Sequence, residues 1–258
     1  MVDERVEYIK RKTKSAIPSI FTLSNMAFGI MALLNVANEN FMQACYFLIG
    51  SYIMDILDGR IARMIDAETE MGIELDSFSD WLSFGIAPAY MIYEFALKEY
   101  GLVSYPVVLI YIICGALRLA RFNLKSIYGD SSKTHFQGLP IPAAAGIIIF
   151  FVMSYSIIED ETPQKTIKFL SVSMPFLYNI FPLIMIIISI LMVSSIPYVA
   201  MKSKNSFTIK SPLGIIALVS TIFLVAIYPQ NALFIFFALY ALSGVVYFFY
   251  RLFFQKLN

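Results

Sequence analysis

Apolar residues run along this chain in blocks of about 20, separated by short polar stretches, and blocks of that length cross a bilayer as helices. Eight such blocks predict eight spans, at 17–37, 41–60, 75–97, 105–122, 140–158, 169–200, 213–228 and 232–254. The alternation of a transmembrane barrel strand is missing. The sixth block is long enough to kink at Pro182 or to hold a separate interfacial turn, so the count lies between seven and nine. No segment repeats at a fixed period. The expectation is an all-α, polytopic membrane helix bundle, with residues 1–258 as a single integral-membrane domain.

Composition agrees, since 59% of the 258 residues are hydrophobic and 14% are charged, against roughly 25% charged in soluble domains. The basic residues add an orientation. Counting spans alternately across the membrane leaves only Lys98, Lys165 and Lys168 on one side. The other side collects "ERVEYIKRKTK", Arg60, Arg63, "RLARFNLKSIYGDSSK", "MKSKNSFTIK", Arg251 and Lys256. Basic loops stay in the cytoplasm, so both termini, including the basic segment 1–16, are expected there, with the protein in the cell membrane. That segment is charged and the first apolar block is full length, so no cleavable signal is expected. Cys45 and Cys114 fall inside apolar blocks, read as small buried hydrophobes, and define neither a disulfide nor a metal site. His135, the one histidine, stands in a polar loop without partners for catalysis.

What changes the picture is "DILDGRIARMIDAETEMGIELDSFSD", residues 55–80. Residues three or four apart share a helix face, so Asp55 and Asp58 project together from the end of the second span, and Asp76 and Asp80 from the start of the third. Four carboxylates near hydrocarbon repel one another and cost several kcal/mol unless something offsets them. A divalent metal does so. Oxygen ligands without Cys or His favour a hard cation such as Mg²⁺ or Mn²⁺, and two ions suit phosphoryl transfer. Gly59 and Ala62 leave room against the helix backbone, and Arg63 can fork onto phosphate oxygens. Asp66, Glu68, Glu70 and Glu74 are expected to line a hydrated connecting loop.

The series Asp55-x2-Asp58-Gly59-x2-Ala62-Arg63-x8-Gly72-x3-Asp76-x3-Asp80 resembles the signature of the CDP-alcohol phosphatidyltransferases, with every position filled. The resemblance implies an integral-membrane enzyme with a six-helix core, here 17–200, usually homodimeric, that binds a CDP-linked lipid through divalent metal at the cytoplasmic face. By the same resemblance, Asp55, Asp58, Asp76 and Asp80 surround the metals, and Asp80 is also the base for the incoming hydroxyl. Asp58, Gly59, Ala62 and Arg63 hold the cytidine and diphosphate, with Gly72 permitting close approach. Two further helices, in 201–258, lie beyond that core and are expected to face lipid or a second subunit.

The fourth span ends in "CGALRLARFNLK" and the fifth begins near "HFQGLPIPAAAG". Arg118 and Arg121 share a helical face toward the cytoplasmic interface, and with Asn123 they suit a small anion, either a carboxylate-bearing alcohol or a sugar phosphate. "RLARFN" followed by "FQGLPIPAAAG", with the opening "IPSIFTLSNMAFGIMAL", is similar to the phosphatidylserine synthase branch of the family. That resemblance implies transfer from CDP-diacylglycerol or CDP-archaeol to L-serine with release of CMP. It puts Arg118 and Arg121 on the serine carboxylate, assisted by Asn123 and Lys133. Pro18-Ser19 stands where the family often has Pro-Asn, and Thr22 and Asn25 receive no role. Pro140 and Pro142 are expected to shape the entry of the fifth helix. Glycerol 3-phosphate or inositol phosphate as acceptor is the nearest rival. A cation transporter is the rival of another class, opposed by the lack of an acid in the middle of any span. No nucleic-acid partner is expected.

Overall fold

The computed structural model describes residues 2–65, 67, 69–127, 135–159, 168–199 and 227–254. Among the described residues, five helical stretches are long and apolar enough to cross a membrane: Ala16–Ala37, Glu70–Leu124, Ile141–Ile158, Val172–Val193 and Pro229–Tyr250. The chain is an all-α polytopic membrane protein in its spanning part. Block 213–228 lies almost wholly outside the described residues, as does Lys133.

Helix α1 (Val2–Ala37) turns back into α2 (Phe41–Met64) through Glu39, whose φ of 61° lets Asn38, Glu39 and Asn40 return their N–H groups to carbonyls of Asn35 and Val36. Helix α3 (Glu70–Asp80) leads directly into a π-helical turn (Trp81–Ile86), α4 (Ala87–Ile92), a second π turn (Tyr93–Leu97) and a 3₁₀ segment (Lys98–Val103). The first π turn has a cause in the sequence. Pro88 has no N–H to offer the Phe84 carbonyl and its ring crowds that residue, so the helix widens before it. The Tyr111 hydroxyl fills the vacancy, donating to the Phe84 carbonyl at 3.1 Å from the neighbouring α5 (Ser104–Ile127). The turn into α5 is made at Gly101, with φ of 60° and ψ of −136°, so the stretch 70–124 doubles back on itself.

Helix α6 (Ile141–Glu159) is the centre of the bundle, with Ala144, Ala145, Ile148, Ile149, Phe151 and Val152 fully buried. A helix apolar on all sides is one surrounded by other helices. Helix α7 (Lys168–Val193) sets Phe181 against Phe151, ring centroids 4.3 Å apart. In lipid the gain is close packing rather than removal from water, which favours small residues where helices approach. Gly146 is one of these: a Cβ there would stand 2.6 Å from the Phe237 ring of α8 (Pro229–Phe254). Cys45 is a core residue, its thiol 3.5 Å from the Ile149 carbonyl.

Several boundaries differ from expectation. Helix α2 runs four residues past Arg60 and α3 begins five residues before Leu75, because the Thr69 hydroxyl accepts the Gly72 N–H at 3.0 Å as an N-cap and Glu70 favours a helix start. Glu70 and Glu74 are thus exposed helix residues, not loop residues. The sixth span stops at Val193 instead of continuing to Ala200. Pro197 disfavours a helical residue before it, and Pro197–Val199 (β2) instead pairs antiparallel with His135–Gln137 (β1), Phe136 opposite Tyr198. Helix α8 turns Phe234 and Phe237 inward onto α6, so only part of its aromatic surface, including Phe248 and Phe249, faces outward.

Candidate active site

The four aspartates meet at one end of the bundle, where the C-terminal half of α2 and the C-terminal half of α3 lie beside the middle of α1. One carboxylate oxygen each from Asp55, Asp76 and Asp80 lies within 4.8 Å of the others. Asp58 is 4% exposed and its Oδ2 has no hydrogen-bond partner, and the same holds for Oδ1 of Asp76. Buried acceptors are nearly always satisfied, so two orphaned carboxylate oxygens beside a three-carboxylate cluster fit a site built for cations. Among the described residues the one ion pair within 4 Å is Lys98 with Glu94, at the far end of the helical run that carries Asp80.

A cavity of about 480 Å³ opens over these acids. On the α2–α3 side it is lined by Asp58, Gly59, Ala62, Arg63, Gly72, Asp76 and Asp80. A Cβ on Gly59 would point at the Arg63 guanidinium 3.5 Å away, so the glycine keeps that wall low. Across the cavity stand Arg118, Phe122 and Asn123 of α5, with the Arg118 guanidinium carbon 5.6 Å from the centre of the Phe122 ring. Asn123 Nδ2 donates to Ser77 Oγ at 2.9 Å and joins α5 to the acid-bearing α3. Pro140 and Pro142 close the wall at the start of α6, where a missing N–H costs no helical bond. Tyr52 donates to the Pro142 carbonyl.

Asp55 is part of the carboxylate cluster without lining the cavity. Arg121 turns away from it: its Nη1 donates to the Val193 carbonyl at 2.7 Å, at the C-terminal end of α7, where free carbonyls and a negative dipole end attract a cation. The same helix end receives the Leu139 N–H at the Leu191 carbonyl, so α5, α7 and the entry to α6 are tied together. Two residues that sequence reasoning left without a role come from α1. Thr22 lines the cavity, and Asn25 Nδ2 lies 3.5 Å from Asp80 Oδ1. The signal was there in two polar residues three apart, on one face of a largely apolar block.

A membrane bundle with clustered carboxylates and an arginine around one open cavity is suited to an enzyme that handles an anionic, cation-bound substrate. Residues 15–178 match the family described as CDP-alcohol phosphatidyltransferase, and the chain belongs to that family. Over 232 residues, 89% of each chain, it is 31% identical to a Helicobacter pylori protein named CDP-diacylglycerol–serine O-phosphatidyltransferase. A Bacillus subtilis protein of the same name is 34% identical over 140 residues, 54% of this chain and 77% of the relative. One from Methanocaldococcus jannaschii is 38% identical over 135 residues, 52% of this chain and 59% of the relative.

Proposed function

We propose that this protein transfers the phosphatidyl group of CDP-diacylglycerol, or the archaetidyl group of CDP-archaeol, to the hydroxyl of L-serine and releases CMP. The observation that carries the reading is the gathering of Asp55, Asp76 and Asp80 beside an open cavity whose opposite wall holds Arg118. The three relatives named above bear the serine transferase name, which supports serine as acceptor.

In this reading Asp58, Gly59, Ala62 and Arg63 receive the cytidine diphosphate, with Arg63 on phosphate oxygens and Gly59 and Gly72 giving the nucleotide room near the backbone. Asp55, Asp58, Asp76 and Asp80 would hold divalent metal, Mg²⁺ or Mn²⁺, which when bound supplies charge neutralisation for the diphosphate and the departing CMP. Arg118 pairs with the serine carboxylate and orients the hydroxyl toward the phosphorus, with Asn123 and Lys133 assisting. Arg121, through its hold on α7, supports that wall. Asp80 takes the hydroxyl proton as the serine oxygen–phosphorus bond forms and the bond from phosphorus to the CMP oxygen breaks. The cavity end faces the cytoplasm, where serine and CMP reside, and the protein acts in the cell membrane as a homodimer.

CMP release from CDP-diacylglycerol by purified protein, measured with serine, glycerol 3-phosphate and inositol phosphate in turn, tests the reading. Release that depends on serine alone supports it. Release driven by either phosphate instead would replace the acceptor and keep the chemistry.

A further inference from the structure

Helix α1 brings to the acid cluster a side chain that the transfer reaction as described leaves idle. Asn25 is completely buried, and its surroundings in a membrane helix would suit an apolar residue of the same size better than an amide. Its Nδ2 faces Asp80 Oδ1 at 3.5 Å, while its own Oδ1 has no partner. An ionised carboxylate can only accept, so the amide must present its N–H to Asp80, and that choice is what strands Oδ1. A conformation that sacrifices one buried acceptor is retained for the contact it makes. The backbone beneath is fixed from two neighbours: Ser51 Oγ of α2 and Ser83 Oγ beyond α3 each donate to the Asn25 carbonyl at 3.1 Å. Ser79, next to Asp80, donates to the Thr22 carbonyl at 3.0 Å. One turn along α1, Gly29 leaves the space that Ser83 occupies, since a Cβ there would stand 2.5 Å from Ser83 Oγ.

We propose that Asn25 is a positioning residue for Asp80: its amide holds one carboxylate oxygen and thereby sets the plane in which the other meets the acceptor hydroxyl and the cation. The inference rests on Asp80 being the base in the reading above. The test uses full-length protein in detergent and two readouts, turnover and cation binding. Trp81 is the one tryptophan of the chain and follows Asp80 directly, so quenching of its fluorescence by Mn²⁺ reports on this cluster without any reaction. In Asn25→Leu, kcat is expected to fall about tenfold and the Mn²⁺ midpoint to rise about tenfold, with KM for CDP-diacylglycerol and serine and the unfolding midpoint unchanged. Asn25→Ala, which removes the donor without adding charge, is expected to lose as much, and it decides the matter if the leucine variant does not fold. A folded variant whose kcat or Mn²⁺ midpoint stays within about twofold of the parent overturns the proposal, as does a rise in KM at constant kcat. Should the parent protein release no CMP with serine, the transfer reading fails, and the Mn²⁺ midpoint alone decides this one.

Discussion

Asp80 and Pro88 sit on one helical run, two turns apart, and near each lies a polar group that its own helix does not serve. At Pro88 the chain supplies a partner: the Tyr111 hydroxyl caps the Phe84 carbonyl that proline cannot serve. At the acid end the chain stops short, leaving Asp58 Oδ2, Asp76 Oδ1 and Asn25 Oδ1 without hydrogen bonds. Both places are buried, so the difference lies in purpose rather than in solvent access. The carbonyl that Pro88 cannot serve is closed from within, whereas the acid end, in the function proposed above, stays open for a cation and a diphosphate.

Breaking the open end has the larger effects. Asp80→Asn is expected to lower CMP release roughly a thousandfold, the scale of a lost general base, while binding of CDP-diacylglycerol survives; unchanged turnover would remove Asp80 as base. Chelation of divalent metal is expected to abolish release, and Mg²⁺ or Mn²⁺ to restore it, with the unfolding midpoint rising as cation is added because the ion binds only the folded cluster. Arg118→Ala is expected to raise KM for serine about 10- to 100-fold with KM for the CDP-lipid little altered. Arg121→Ala, whose guanidinium meets Val193 rather than the cavity, is expected to raise it only a few-fold and to lower thermal stability; equal effects on serine from the two arginines would contradict the division between them. The closed end gives the smallest change in function. Tyr111→Phe strands the Phe84 carbonyl and is expected to cost about 1–3 kcal/mol of stability with turnover close to the parent's.

The membrane bundle was legible because an apolar block of such length with so few charges is stable as little except a span in lipid. The convergence of residues 55–80 on one site was legible because acids so dense beside two spans must share a cation or repel. Helix ends were less so. The cap at Thr69 and the helix formers Arg60, Ala62, Arg63 and Met64 carried α2 and α3 toward each other and left a shorter hairpin than polarity alone suggested. The β1–β2 pairing was illegible, since it joins three residues after α5 to three after α7, and nothing local in either marks a partner so far along the chain. Arg118 and Arg121 look alike on one helical face, and only the position of the α7 end separates a cavity residue from a brace. Asn25 was passed over because an amide in a largely apolar block has no meaning until its neighbour is known to be Asp80.

The groove that Gly146 leaves along α6 has a practical corollary. Phe237 fills it, so a version of the protein cut back to its first two hundred residues would carry an unfilled slot down the middle of its central helix. Such a truncate would take up an acyl chain or a detergent tail there, and its heat tolerance would then follow the choice of amphiphile in a way the intact protein's does not.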